Sequence, residues 1–139
     1  MVETGRGMPP EGFLTDSNVA IASFKEEALV LQKLRDIPSE QIFVPVIVLG
    51  ELHYGARKST RIEENLRRLE AFTESSNVLP CDATTARIYG ATRDALRRKG
   101  RPIPENDVWI AASAIQHHLI LVSRDSHFEH VEGLRLEHW

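Results

Sequence analysis

Apolar and polar positions follow two rhythms along this chain. Short apolar runs at 13–14, 41–45, 77–80, 119–122 and 134–136 are too brief for helices. Ile42, Phe43 and Val44 are also too apolar for an exposed edge, and the five runs read as strands of a sheet covered on its faces. Between them the apolar positions recur at helical spacing. Val19, Ala20 and Ile21 follow Ser17 or Asn18 as N-cap. A helix over 26–35 carries Ala28, Leu29, Leu31 and Leu34 and is stopped by Ile37-Pro38-Ser39. Residues 46–57 present Val48, Leu49 and Leu52, with Gly55 near the end. Residues 61–74 place Ile62, Leu66, Leu69 and Phe72 on one stripe, against Glu63, Glu64, Arg67, Arg68 and Glu70. A helix over 84–99 buries Ala86, Ile88, Tyr89, Ala95 and Leu96 and closes at Gly100. After a loop over 102–105, Asn106 caps a helix over 107–118 with Val108, Ala111, Ala112 and Ile115 inward. Strands separated by helices predict an α/β fold: a mostly parallel sheet of four or five strands with helices on both faces.

Length and composition narrow the class. The 139 residues, 42% apolar and 27% charged, suit one compact domain and exclude disordered and fibrous chains. Residues 1–12 hold three glycines and two prolines with little apolar content, and read as a flexible extension before a domain at 13–139. That extension lacks the apolar core of a signal peptide, and no apolar run is long enough to span a bilayer. A single cysteine, Cys81, forms no internal disulfide, which suits a reducing cytoplasm; its plain reading is a small half-buried residue. A net charge of -3 argues against binding nucleic acid through a global field. An enzyme acting on nucleic acid survives that argument, because an acidic metal pocket itself subtracts charge.

Four carboxylates fall at junctions between elements. Asp16 ends the first strand, Glu51 lies in the helix after the second, Asp107 opens the helix before the fourth, and Asp125 follows the fourth. Strand ends of a parallel sheet gather along one edge, where Asp16 and Asp125 can meet. Each acid alone has a plain structural reason: Asp16 as a helix cap, Asp107 as a first-turn acid, Glu51 as a solvated residue, Asp125 in a turn. Together they would repel in a partly buried pocket, and a divalent cation resolves that conflict. Oxygen ligands favour Mg²⁺ or Mn²⁺ over zinc.

The residues around these acids carry a family pattern: Asp-Ser-Asn at 16–18, Gly-Glu-Leu-His-Tyr-Gly at 50–55, Glu-Asn-Asp at 105–107 and Ser-Arg-Asp at 123–125. The segments 65–72, 86–90, 100–104 and 133–139 have matching texture. In this the chain resembles, from Phe13 to Trp139, the PIN-domain family and in particular the ribonuclease toxins of VapBC-type toxin–antitoxin pairs. The resemblance implies a PIN-like sheet covered on both faces and an acidic pocket holding Mg²⁺ or Mn²⁺. It implies metal-dependent hydrolysis of RNA phosphodiester bonds by a homodimer. It also implies an antitoxin whose tail covers the pocket, with operator DNA bound only through that antitoxin. Asp16, Asp107 and Asp125 would hold metal, directly or through water, and Glu51 would complete the catalytic set and orient the attacking water. Ser17 and Ser123 would offer hydroxyls, and Asn18 or Asn106 would steady carboxylates. Asp-Ser at 16–17 stands where Asp-Thr is commoner, which keeps the hydroxyl.

Other features weigh less. Arg93, Arg97, Arg98, Lys99 and Arg101 could grip RNA phosphates or simply complement a helix end. His117, His118, His127 and His130 fit no metal-ligand spacing. Trp109 and Tyr54 read as packing residues, in the core or in a dimer contact, and not as base-stacking platforms. The rival readings are another acid-metal nuclease of similar fold, acting on DNA or processing intermediates, and a catalytically silent module that binds the antitoxin as co-repressor. All four acidic positions are filled, which disfavours the silent module.

Overall fold

The computed structural model describes residues 12–139, so residues 1–11 of the expected extension lie outside the described residues. Five strands form one sheet: β1 (Phe13–Thr15), β2 (Ile42–Pro45), β3 (Asn77–Leu79), β4 (Ile120–Val122) and β5 (Arg135–Glu137). The order is β3-β2-β1-β4-β5, and every pairing is parallel. Six helices connect them: α1 (Ser17–Phe24), α2 (Ala28–Arg35), α3 (Val46–Arg57), α4 (Ile62–Glu74), α5 (Ala83–Arg98) and α6 (Glu105–Gln116). Only the crossover from β4 to β5 lacks a helix; it is made by a 3-10 turn, Ser126–His130.

The strands are short and apolar because both faces are covered. Alternation along β1 and β4 sends Leu14 and Leu121 into the larger core with α3, α4, α5 and α6, whereas Phe13 and Val122 join a smaller cluster. That second cluster gathers Val19, Ala22, Val30 and Trp139, so α1, α2 and the carboxyl terminus close the other side. The alanines of α6, Ala111, Ala112 and Ala114, are all buried.

Several local expectations are corrected. Gly12, grouped by its composition with the extension, is buried. Its carbonyl accepts from the Ile120 amide at 3.0 Å, and at φ 153° a Cβ would lie 2.4 Å from the Gln41 carbonyl oxygen. Helix α2 starts at Ala28, not 26, because Glu26 takes a left-handed φ of 57° that breaks the run. The residue α2 buries is Val30; Leu29 is 58% exposed, because the smaller cluster lies on the side of Val30, Leu34 and Ile37. In α5 Thr85 is the buried residue near the start and Ala86 faces out. An Asp82–Thr85 capping box fixes that turn, and the Thr85 hydroxyl bonds to Gln116 of α6. Tyr54 is 65% exposed with Lys58 over its ring, so it packs on no core of this chain, whereas Trp109 stacks on Tyr89.

Candidate active site

The sheet order turns outward in opposite directions from β1, towards β2 and β3 on one side and β4 and β5 on the other. The crevice beyond the carboxyl ends of β1 and β4 is where such sheets collect ligands. Asp16 follows β1 there. Its amide donates to the Val122 carbonyl at 3.0 Å, continuing the ladder, and the residue is only 2% exposed. One carboxylate oxygen accepts from the Ser17 amide at 2.8 Å and the other from the Ser123 hydroxyl at 2.7 Å. Asp16 itself is therefore the N-cap of α1, in place of Ser17 or Asn18.

Asn18 is free for another task. Its amide lies 3.3 Å from Asp125 Oδ2 and 3.5 Å from Ser123 Oγ, while its carbonyl oxygen accepts from the Arg124 amide at 3.3 Å. The Ser123 hydroxyl oxygen accepts in turn from the Asp125 amide at 3.0 Å. The residues after β1 and those after β4 are thus stitched into one unit.

The other two acids arrive from helices. Glu51 sits on the second turn of α3; its Oε2 accepts from Asn106 at 3.4 Å, and its Oε1 is buried without a donor. Asn106 is not the cap of α6, which begins at Glu105 after Pro104; its amide is turned to Glu51 instead. Glu105 is therefore helical, and it receives the Tyr89 hydroxyl at 3.0 Å. Asp107, in the first turn of α6, meets His127 Nε2 at 2.6 Å. His127 is the residue that sequence reasoning weighed with His117, His118 and His130 and set aside as a ligand. Twenty positions separate it from Asp107, so no ligand spacing could announce it. The available signal was its place two residues after Asp125.

Burial raises the Asp16 carboxyl above its ordinary value and the Asp125 charge adds to this; hydrogen bonds from Ser123 and Ser17 oppose it. Burial also raises Asp107, opposed by the His127 hydrogen bond and reinforced by the charges of Asp16 and Glu51. The four acids are therefore one repelling set. A carboxyl raised in the fold stabilises fully below its unfolded value, and that contribution is lost as pH rises through its folded value. In EDTA, Asp16→Asn is thus expected to melt above the wild type at neutral pH, by on the order of 1 kcal/mol or a few degrees. The gap should shrink as pH falls and close only below about 4, where Asp16 becomes neutral in both states. Thermal melts across that range check this, and a gap independent of pH would contradict it.

Four carboxylates, an orphaned buried carboxylate oxygen and an adjacent imidazole are a donor set that fits a divalent cation. Residues 13–134 match the family described as PIN domain. The chain is 35% identical over 128 residues to the tRNA(fMet)-specific endonuclease VapC of Shigella flexneri, covering 91% of this chain and 97% of that relative. This chain belongs to the VapC branch of the PIN-domain family. Solved VapC structures share its architecture. DNA-bound VapBC from Salmonella typhimurium matches with a TM-score of 0.87 at 32% identity, over 92% of this chain and 98% of that one. VapBC2 from Rickettsia felis, bound to a DNA fragment from its promoter, matches with a TM-score of 0.85 at 29% identity, over 91% and 98%. No helix among the described residues is long and apolar enough to cross a membrane.

Proposed function

We propose that this protein is a metal-dependent endoribonuclease, the toxin of a toxin–antitoxin pair, with Asp16, Glu51, Asp107 and Asp125 as its catalytic acids. The observation that carries the reading is the convergence of these acids from four elements, with Glu51 Oε1 buried and lacking any donor. Charges so placed are costly unless protonated or matched by a cation. Asp107 and Asp125 would hold Mg²⁺ or Mn²⁺, with Asp16 joining directly or through water. Such an ion, when bound, acidifies water and offsets charge building on the phosphate.

The chain's own groups supply the rest. Ser123 and the Ser17 amide fix the Asp16 carboxylate, and Asn18 fixes that of Asp125. Asn106 holds one Glu51 oxygen, and Glu51 would complete the acidic set and orient the attacking water. No side-chain nucleophile is needed. RNA is the substrate by likeness to the named ribonucleases of the family. In the basic cluster at the end of α5, Arg93 pairs with Glu105, Arg97 and Arg98 with Asp94, and Lys99 with Glu132, all with exposed side chains.

The partner is an antitoxin, by likeness to the VapBC complexes, and we propose a homodimer in a cytoplasmic setting, as the family resemblance implies. Operator DNA would be bound through the antitoxin. A groove of about 400 Å³ runs from Ser17 and Glu51 along Ile21, Phe24, Leu52 and Leu69, and suits an apolar antitoxin segment that ends over the acids. Residues 13–139 form the nuclease domain in this reading.

Induction in a bacterium without a matching antitoxin tests the proposal. Growth should stop with RNA cleaved, and Asp125→Asn should restore growth at equal protein level. Arrest with intact RNA and cut DNA would move the substrate to DNA, and arrest unchanged by Asp125→Asn would remove the acids from the mechanism.

A further inference from the structure

The side chains that approach most closely in the site are not carboxylates alone. A ring nitrogen of His127 and one oxygen each of Asp107 and Asp125 all lie within 4.8 Å of one another. We infer that His127 is a metal ligand beside Asp107 and Asp125, and that this nitrogen makes the site prefer Mn²⁺ to Mg²⁺. The inference rests on the acid-metal reading above and deepens it.

The placement of the ring favours ligation. His127 lies in the 3-10 turn that begins just after Asp125, and the next residue, Phe128, is 1% exposed and anchors that turn in the core. The Phe128 ring centroid stands 4.9 Å from that of His127, so the imidazole is backed on one side, yet 34% of its side chain remains open to solvent. Nε2 already points at Asp107 Oδ2, 2.6 Å away, a separation that a shared proton maintains. A cation in place of that proton would use the same two atoms. Ligands at right angles on an ion with bonds of about 2.1 Å stand about 3 Å apart, so only a small opening is required. Asp125 is held by Asn18 through Oδ2, which leaves its other oxygen for the ion.

The chemistry then sets the preference. Mg²⁺ is hard, keeps its waters and gains little from imidazole; nitrogen ligands favour the first-row transition ions, of which Mn²⁺ is the weakest binder. An all-oxygen pocket would discriminate between the two much less.

The test uses the full chain free of antitoxin. Pulsed electron paramagnetic resonance of the bound Mn²⁺ should show nitrogen modulation in the wild type and none in His127→Gln. In calorimetry His127→Gln should lose at least about tenfold in Mn²⁺ affinity and far less in Mg²⁺ affinity, with its fold verified by circular dichroism. His127→Asn replaces it if the glutamine variant does not fold. Bound Mn²⁺ without nitrogen modulation, or equal weakening for both ions, would overturn the inference and leave His127 as a hydrogen-bond partner of Asp107, with the four-acid reading intact. A wild type that binds neither ion would overturn both.

Discussion

Asp107→Asn is expected to lower RNA cleavage by on the order of 10³-fold while the fold persists. The side chain keeps its shape, and its amide group can still bond to His127, so the first turn of α6 should survive. What disappears is a charge that sits half-buried against Asp16 and Glu51. Loss of a direct ligand forfeits several kcal/mol of transition-state stabilisation, and each 1.36 kcal/mol is about tenfold in rate. Initial rates on a cleavable RNA at saturating Mn²⁺ check this. A variant within tenfold of the wild type would place the chemistry elsewhere.

Phe128→Ala is expected to cost about 3–5 kcal/mol, a large part of the whole stability of a domain this size. Phe128 is the largest of the fully buried side chains and packs in the main core with Leu121 and Val131. It is also the anchor of the one crossover that lacks a helix, the turn bearing Asp125 and His127. The cavity should therefore loosen the site as well as the core. Urea denaturation checks the first effect: the midpoint should fall strongly with little change in slope. A cost below about 1 kcal/mol would mean that the β4–β5 connection is held by other contacts.

Much of the fold was legible because helices separate β1, β2, β3 and β4 from one another, and because the short runs at 42–44 and 119–122 allow little besides buried strands. What misled was local. Helix caps were read as Ser17 or Asn18, with Asp16 as the plain alternative, and as Asn106; both asparagine amides are instead drawn to carboxylates across the site, at Asp125 and Glu51. Backbone needs at α1 are met by Asp16, and α6 begins after Pro104 with no side-chain cap. Tertiary polar contacts thus overrode capping rules at the site itself, where such conflict is expected. The face of α2 was misread for a similar reason: it depends on Phe13, Val122 and Trp139, which are remote in sequence.

The site divides along the same line. The four acids were visible as carboxylates at element junctions, because a parallel sheet brings its strand ends to one edge. Their geometry was not. Nothing in the sequence said that Asp16 is satisfied by Ser17 and Ser123 while Glu51 keeps a lone oxygen, or that His127 reaches Asp107. Those facts depend on the helix packing that sets α3 and α6 against the β1 and β4 ends.

The most direct test of the account is cleavage of total cellular RNA by the purified, antitoxin-free chain, with Mn²⁺, with EDTA, and with Glu51→Gln in place of the wild type. Discrete fragments that require Mn²⁺, vanish in EDTA and are lost in Glu51→Gln are the predicted result. Cleavage that survives EDTA, or that Glu51→Gln performs as well as the wild type, would contradict a nuclease built on these four acids.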